Sequence, residues 1–519
     1  MRLLELLRVL EFTSNAFALF LRDFRKQSLI MTLTEPNQSQ SDVTDSAISA
    51  DPGSYRDPSA RVVHRGLDVL RVLSEAGARD FRGYSSCDVI QRLQREGRLI
   101  AAVQIENEAD VLTASGLQHA ALTLAHPRLS PITYPFEWPF AVLKMAALAH
   151  LDLHLELLAD GLTLRDASAY NIQFLGTQPV FIDITSIRPY VDGEMWDAHE
   201  QFVRQFLGPL ALEAYTGVSF APFLRSCLEG IPVSDLAPLL PARARFDVAM
   251  ITNVFALAML ERRVLRQAGA PVRSDRPTVR QLPKTAFVAI LRSMRKSIAR
   301  LEPKVRRETD WSGYATDNSY AEAATAAKSE AITRIVAVTG ARRVVDAGCN
   351  DGVFSMAALA GGATSVIGLD ADGPSLDRYF RRAQTGGLNM LPLRVDLANA
   401  SPSQGWGGVE RSGLFERVRS DFVIALAILH HLVIGRNVPM NDAVAFVAGL
   451  GDVGGIVEFV PAGDPMAAAM LGRRPGLFPD YTPEHFFACL QRYADVVEVV
   501  PLPDSSRFLV HFRRKVAVA

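Results

Sequence analysis

Two carboxylates stand where two consecutive strand-like segments end, and a glycine turn follows the first of them. Residues 344–355 read VVDAGCNDGVFS, and residues 365–372 read SVIGLDAD. The β-branched residues that precede Asp346 and Asp370 suit central parallel strands, and the segment between them suits a helix. A strand, a tight turn, a helix and a second strand that ends in an acid form a nucleoside-binding crevice in α/β sheets.

The spacing of the glycines distinguishes two kinds of nucleoside ligand. The chain has D-x-G-x-x-x-G, with Gly348 and Gly352, instead of the G-x-G-x-x-G with which dinucleotide folds hold a pyrophosphate. The carboxylate of Asp346 would repel a pyrophosphate but suits the ammonium of a methionine moiety, and Asp370 can accept both ribose hydroxyls. S-adenosylmethionine (SAM) is therefore the predicted cofactor. The alternative is an ordinary βαβ unit with a solvated aspartate.

Five further segments read as strands that extend the same sheet. They are 391–396, which ends in Asp396, and 420–429, 454–460, 494–500 and 506–513. Only PLPDS separates the last two segments, which is too short for a helical crossover. We therefore expect these two strands to run antiparallel to each other.

With these elements, the chain from about residue 310 to its C-terminus resembles the class I SAM-dependent methyltransferases. The resemblance implies an α/β fold with a Rossmann-like seven-stranded sheet whose last strand is antiparallel. It also implies a SAM site whose first two motifs are carried here by Asp346, Gly348, Gly352 and Asp370, while Asp396 stands where the family often contacts adenine. Asn350 replaces the middle glycine of many members and is part of the same predicted site.

A second group of polar residues stands in the N-terminal half. Asp166 is followed five residues later by Asn171, and an apolar hairpin then leads to Asp183. This part resembles the catalytic loop and metal site of kinase-like folds, in which one aspartate accepts a hydroxyl proton while an asparagine and a later aspartate bind Mg²⁺. A helix over 144–161 would lead into the loop. The fold class predicted for this half is α+β and kinase-like.

Parts of a kinase are missing from this half. No G-x-G-x-x-G loop precedes the group, and the strand-like segment 98–105 carries no lysine to pair with phosphates. Three interpretations stay open: a relict nucleotide and metal site, a set of turn caps that accept from backbone N–H groups, or an active phosphotransferase. The four cysteines form no metal-ligand spacing, and no metal site is predicted from them.

The chain as a whole resembles bacterial nodulation-associated proteins of the NoeA type, from about residue 51 to residue 515. The segments that carry the resemblance are YPFEW at 134–138, TLRDASAYNIQF at 163–174, the glycine turn, ILHHL at 428–432 and FPDYT at 478–482. Three parts are predicted: a leader over 1–50 that is flexible or wrongly assigned to the protein, a kinase-like domain over 51–305 and a methyltransferase domain over 306–519.

The methyl acceptor should bind beyond the ends of the fourth and fifth strands. His430 and His431 follow the fourth strand, and an imidazole can take a proton near pH 7. Glu458 stands at the end of the fifth strand. These three residues are the predicted catalytic group, and the acceptor stays open between a small molecule, a sugar, a lipid and a protein.

Composition limits the partners of the protein. The 519 residues carry a formal net charge of −1, which gives no electrostatic case for nucleic acid or an anionic membrane. No uncharged apolar span is long enough to predict a transmembrane helix, and the scattered cysteines fit a reducing cytoplasm. A non-enzymatic alternative is a regulatory protein in which both sites are relicts.

Overall fold

The structure, a computed structural model, describes residues 48–267, 282–304 and 319–515. Nearly all of the predicted leader over 1–50 lies outside the described residues. The predicted domain boundary between 305 and 306 also lies outside the described residues, so it stays a prediction. Ile48–Ala519 forms one unit in the pattern of contacts.

The N-terminal half begins with a five-stranded antiparallel sheet. Its strands are β1 (Ile48–Ala50), β2 (Ala60–Arg65), β3 (Asp68–Ser74), β4 (Val103–Ile105) and β5 (Ala120–His126), in the order β1-β2-β3-β5-β4. Helices α1 (Glu75–Tyr84), α2 (Asp88–Arg95) and α3 (Ala109–Ser115) stand between these strands in the chain. Only the last three residues of the strand predicted over 98–105 join this sheet. The preceding backbone pairs elsewhere, because the Ile100 N–H donates to the carbonyl of Phe181 at 2.9 Å.

A long buried helix and two small strand pairs follow. The helix α4 (Phe140–Ala159) confirms the helix predicted over 144–161. Strand β6 (Leu162–Leu164) pairs with β9 (Ile187–Pro189), and β7 (Ile172–Leu175) pairs with β8 (Gln178–Phe181). The second pair confirms the predicted apolar hairpin. It places the loop with Asp166 and Asn171 before β7, and Asp183 directly after β8.

Helices complete the N-terminal half. They are α5 (His199–Phe202), α6 (Gly208–Thr216), α7 (Ala221–Ser226), α8 (Val233–Leu239), α9 (Val248–Met250), α10 (Ala256–Gln267) and α11 (Lys284–Arg300). Single π-helical turns, Val203–Leu207 and Ile251–Phe255, join α5 to α6 and α9 to α10. Pro209 follows the first π turn and has no N–H to donate to the preceding turn. In the described part of the chain, no helix is both long and apolar enough to cross a membrane.

The C-terminal half alternates strands and helices around a second sheet. The strands are β10 (Arg343–Ala347), β11 (Ser365–Asp370), β12 (Met390–Arg394), β13 (Ser420–Ala425), β14 (Gly451–Phe459), β15 (Ala494–Pro501) and β16 (Phe508–Arg514). The helices are α12 (Ser319–Thr339), α13 (Val353–Ala360), α14 (Gly373–Gly386), α15 (Leu414–Arg417), α16 (Met440–Gly449), α17 (Pro465–Gly472) and α18 (Pro483–Tyr493). A π-helical turn over His431–Gly435 follows β13.

The second sheet confirms the predicted Rossmann-like architecture. Its seven strands lie in the order β12-β11-β10-β13-β14-β16-β15. Neighbouring strands from β12 to β14 are parallel, whereas β16 runs antiparallel to both β14 and β15. The short link between β15 and β16 forces this reversal, because no helix fits in it. The order in which the strands are added reverses at β10, because β11 lies on one side of it and β13 on the other.

The two halves share one hydrophobic cluster. On one face of the second sheet, Val345, Leu369 and Leu391 belong to the same buried cluster as Trp138 and other residues of the N-terminal half. The ring of Phe174, on β7, meets the ring of Phe380, on α14, edge to face at 6.3 Å between centroids. The N-terminal half therefore covers part of a sheet face with side chains that would otherwise meet water.

A buried polar contact crosses the same junction. The Ala141 N–H at the start of α4 donates to Oδ1 of Asp377 on α14 at 2.8 Å. Burial raises the pKa of Asp377 to about 7, so this carboxyl is uncharged in about half of the molecules near neutral pH. The contact gives a buried backbone donor its partner and fixes α4 against α14.

Candidate functional site

The carboxyl ends of β10 to β13 open into a cavity of about 2010 Å³. Gly348, Asn350, Asp370, Asp396 and His431 line it, and all five are residues of the predicted sites. Parallel strands end at the same edge of a sheet, and ligands of such sheets bind at this edge where the strand order reverses. The sequence motifs therefore meet in one cavity, as predicted.

The glycine turn between β10 and α13 adopts left-handed backbone angles at three positions. The φ angles are +79° at Gly348, +47° at Asn350 and +86° at Gly352. Glycine adopts such angles without strain, and asparagine tolerates them better than most residues. This explains how Asn350 stands where many related turns have a glycine.

Gly352 also has no room for a side chain. A Cβ built at this position would lie 2.5 Å from Cδ2 of the buried Tyr379 ring on α14. We expect Gly352→Ala to lower the free energy of unfolding by roughly 2–4 kcal/mol through this clash and the strained φ. Chemical denaturation of both proteins measures the difference.

The matched control for this substitution is Gly362→Ala. Gly362 has a φ of +102°, but no described atom lies within 4 Å of a Cβ built there. Its replacement should lower the free energy of unfolding only by the cost of the strained backbone, about 1–2 kcal/mol. Equal losses in the two variants would mean that Tyr379 does not restrict the turn.

Asp370 ends β11 and presents its carboxylate to the cavity. The Asn350 N–H donates to its Oδ2 and the Asp372 N–H donates to its Oδ1, both at 2.9 Å. Burial raises the pKa of Asp370 above its ordinary value, although these two backbone bonds oppose the rise. Each oxygen retains a further lone pair, so the carboxylate is held in place and can accept from two ligand hydroxyls.

Asp346 lies apart from the other residues of the predicted cofactor site. Its side chain is buried beneath the turn and is not part of the cavity lining. Its Oδ2 accepts from the Ser355 hydroxyl of α13 at 2.6 Å, and burial raises its pKa to about 7. The carboxyl joins β10 to α13 below the turn, and its predicted contact with a ligand ammonium stays a prediction.

Asp396 lies in the cavity wall after β12, as predicted. Its Oδ1 accepts from the Ala398 N–H at 3.0 Å, and its Oδ2 pairs with Nη2 of Arg436 at 2.8 Å. Arg436 also lines the cavity and was not predicted. The pair forms a polar edge on the side of the cavity away from the glycine turn.

The adjacent histidines have different surroundings. His431 lines the cavity, whereas His430 is fully buried, and neither of its ring nitrogens has a hydrogen-bond partner among the described residues. The ring centroids are 3.9 Å apart. Burial lowers the pKa of His430 to about 3 and that of His431 to about 4, with a further contribution at His431 from the charge of Arg507. Both imidazoles are therefore neutral at pH 7.

Glu458 does not line the cavity, and its predicted catalytic role stays a prediction. Its side chain is fully buried behind two cations that do line the cavity, Lys328 and Arg507. Its Oε2 accepts from Nζ of Lys328 at 2.8 Å, and its Oε1 lies 3.6 Å from Nη1 of Arg507. Arg507 also pairs through two nitrogens with Asp464, at 2.7 and 2.9 Å.

Sequence reasoning missed Lys328, Asp464 and Arg507. Lys328 and Glu458 are 130 positions apart in the chain, and Arg507 and Asp464 are 43 apart. No local spacing can indicate pairs at such separations. A usable signal was the single glutamate within the otherwise apolar segment IVEFV of β14, because a buried carboxylate requires cationic or hydrogen-bonding partners.

The N-terminal half contributes part of the cavity wall. Glu213, Ser219 and Lys304 line the cavity opposite Arg394, which ends β12. Nη1 of Arg394 donates to the Ser219 hydroxyl at 2.7 Å and lies 3.8 Å from Oε1 of Glu213. Nothing in the sequence patterns indicated this contribution.

The predicted group in the N-terminal half comes together at a second place. Nδ2 of Asn171 lies 3.1 Å from Oδ2 of Asp166 and 3.4 Å from Oδ2 of Asp183. An unpredicted cation joins them, because Nη1 of Arg71 on β3 donates to Oδ1 of Asp183 at 3.0 Å. The cation of this group therefore comes from β3, and not from the segment 98–105, which has no lysine.

Comparisons with known proteins give one strong similarity. No family model matches the chain. The nodulation protein NoeA of Rhizobium meliloti (strain 1021) is 40% identical to it over 462 residues, which are 89% of this chain and 95% of NoeA. The resemblance to proteins of this type is thus confirmed.

Similarities to solved structures are weaker. The N-methyltransferase NodS of Bradyrhizobium japonicum WM9, in complex with S-adenosyl-l-homocysteine, has 15% identity and a TM-score of 0.29, over 40% of this chain and 94% of that one. The bifunctional kinase-methyltransferase WbdD has 14% identity and a TM-score of 0.26, over 40% of this chain and 42% of that one. These similarities are too low to bear on the roles of individual residues.

Proposed function

Because the chain belongs to the family of the nodulation protein NoeA, we propose that it is a class I SAM-dependent methyltransferase whose cofactor binds in the cavity at the ends of β10 to β13. The observation that carries the proposal is the carboxylate of Asp370, which faces this cavity beside the left-handed turn at Gly348. A carboxylate at the end of the second strand can accept both hydroxyls of a ribose. The acceptor of the methyl group is not specified by these residues.

The residues around the cavity fit the parts of a SAM molecule. The turn at Gly348 places no side chain against the ligand, and Asp370 offers two oxygens to the ribose. Asp396 would contact the adenine, as the resemblance to the methyltransferases implies. Lys328, whose Nζ lies 5.9 Å from the ring centroid of Phe354 on α13, offers a cation to the methionine carboxylate.

The chain's own residues hold the acceptor and take up its proton. SAM supplies, when bound, a methyl group on a sulfonium that a nucleophile removes by in-line displacement. His431 lines the cavity and is neutral at pH 7, so its ring can accept a hydrogen bond from a hydroxyl or amine of the acceptor and take its proton as the methyl group is transferred. Glu458 and His430 are buried, and we assign them positioning roles behind Lys328, Arg507 and His431.

Replacement of His431 with alanine should abolish transfer and spare cofactor binding. We expect turnover to fall by about 100-fold or more, since general-base groups contribute at least that much. Affinity for S-adenosylhomocysteine, measured by calorimetry, should stay within about twofold. His485→Ala is the matched control, because His485 is exposed on α18 and lies outside the cavity. Unchanged turnover in His431→Ala would rule out an essential role for this imidazole.

The pH profile gives an independent check on His431. Because burial and Arg507 lower its pKa to about 4, nearly all of the His431 side chains are neutral at pH 7. Turnover should therefore stay level between about pH 8 and pH 6 and fall below about pH 5, as the ring becomes protonated. A fall centred near pH 6.5 would assign the proton acceptor to a group with an ordinary imidazole pKa.

Two measurements test the proposed function as a whole. Calorimetry of the folded chain with SAM should show binding, and its absence would refute the proposal. Turnover of methyl-labelled SAM with a cell extract as the source of acceptors should transfer label in the presence of the protein. Fractionation of the labelled product then identifies the acceptor class. Binding of SAM without any transfer of label would favour the regulatory alternative.

We include a kinase-like fold of the N-terminal half in the proposal. An antiparallel sheet precedes the long helix α4, the Asp166 loop lies between β6 and β7, and Asp183 follows β8. We keep the predicted domain limits, 51–305 and 306–519, as part of the same proposal. The contacts of Glu213 and Ser219 suggest that this half helps to shape the cofactor cavity.

A further inference from the structure

The polar cluster of the N-terminal half contains a cation of its own. Arg71 reaches it from β3, where Nη1 donates to Oδ1 of Asp183 and Nη2 donates to the carbonyl of Ile182, both at 3.0 Å. Only 11% of the Arg71 side chain and 18% of the Asp183 side chain are exposed. The Coulomb attraction in an ion pair so shielded from water is stronger than in an exposed pair.

Donors from the chain already occupy both carboxylates. Oδ1 of Asp183 lies 2.6 Å from the Thr185 hydroxyl and 3.3 Å from the Thr185 N–H, in addition to its bond from Arg71. Asp166 accepts from the Ser168 N–H through Oδ1 at 2.8 Å and from Asn171 through Oδ2 at 3.1 Å. All four carboxylate oxygens of Asp166 and Asp183 therefore have a donor from the chain, whereas Nε of Arg71 is buried without a partner among the described residues.

Asn171 is oriented against metal binding. Mg²⁺ takes oxygen ligands in close octahedral geometry, so an asparagine ligand would present its Oδ1. Here the amide group Nδ2, which only donates, faces the carboxylates of both Asp166 and Asp183. This amide contacts both acids and the guanidinium contacts Asp183, so the chain itself makes the contacts that a divalent ion would make there.

We propose that Arg71 is the resident cation of this cluster, in place of the Mg²⁺ that a kinase-like fold would lead one to expect. The residues present do not fit the metal, and the cluster serves to join β3 to the loops around β7 and β8. The N-terminal half is then not a phosphotransferase. This inference does not depend on the SAM assignment.

Removal of Arg71 should create the metal site that the natural chain lacks. In Arg71→Met, Asp183 loses its cation, while Asp166 and Asp183 stay close enough to share the side-chain amide of Asn171. A divalent ion should then bind, and Asn171 can turn its oxygen toward it. The expected gain in Mn²⁺ affinity over the natural chain is at least about tenfold.

The experiment titrates the full chain with Mn²⁺ by electron paramagnetic resonance, with and without ATP. The natural chain should show no uptake that depends on Asp183, Arg71→Met should bind one ion, and Arg71→Met with Asp183→Asn should lose it again. Circular dichroism and thermal unfolding of each variant establish that it is folded.

Two results would overturn the proposal. One is uptake of Mn²⁺ or Mn²⁺·ATP by the natural chain that Asp183→Asn abolishes, since the cluster would then be a working metal site. The other is a folded Arg71→Met variant with no gain in Mn²⁺ affinity. If Arg71→Met fails to fold, the comparison of the natural chain with Asp183→Asn still decides between Arg71 and a metal.

Discussion

Replacement of Asp370 with alanine will weaken the binding of SAM and S-adenosylhomocysteine by at least about 100-fold. Two hydrogen bonds from ribose hydroxyls to one carboxylate are worth about 3 kcal/mol or more together, because bonds to a charged acceptor are stronger than neutral ones. Each factor of ten in affinity corresponds to about 1.4 kcal/mol. Calorimetry with both ligands measures the loss directly.

The controls separate this loss from damage to the turn. Asp370 also accepts from the N–H groups of Asn350 and Asp372, so its removal disturbs both backbone segments. Asp370→Asn keeps one acceptor oxygen and should lose less affinity than Asp370→Ala. Asp452→Ala removes an exposed carboxylate from β14 and should leave binding unchanged. Full affinity in Asp370→Ala would remove the main support for the proposed site.

The second large effect is expected at Glu458. Glu458→Gln should lower the free energy of unfolding by about 3–5 kcal/mol, because it leaves Lys328 without its buried counter-charge and weakens the hold on Arg507. The side chain of Lys328 is only 12% exposed, so water from the cavity replaces the lost carboxylate only in part. Urea denaturation followed by circular dichroism measures the change.

A double variant tests whether the charge or the shape of Glu458 matters. Glu458→Leu combined with Lys328→Met removes both charges and keeps much of the volume, and such replacements of buried ion pairs are often close to neutral in stability. The double variant should therefore be more stable than Glu458→Gln alone. Its SAM affinity should stay low, because Lys328 is the proposed partner of the methionine carboxylate. A loss below about 1 kcal/mol in Glu458→Gln would show that the pair adds little to stability.

The sheet and the turn were predictable because their determinants are local. Strand-like segments rich in apolar residues ended at Asp370 and Asp396, and the short link before β16 required an antiparallel strand. The glycines of the turn have positive φ angles that few other residues adopt at low cost. Such features depend on neighbours along the chain, which a sequence shows directly.

Orientation and long-range pairing were not predictable in the same way. Asp346 and Glu458 stand near strand ends, but successive side chains of a strand alternate between its faces, so position alone did not indicate that both would be buried. Arg71 and Lys328 come from elements far away in the chain from the carboxylates they meet. Their partners follow from the folded topology and not from any motif.

The cluster that joins the second sheet to the N-terminal half has a consequence for the genetics of this protein. Leu369 and Leu391 belong to the same buried cluster as Trp138. A destabilising substitution in either half therefore lowers the free energy of unfolding of both halves together. Variants of the N-terminal half can therefore abolish methyl transfer simply by lowering the amount of folded protein. A null phenotype in this half identifies a catalytic residue only when the abundance of the variant has been measured as well.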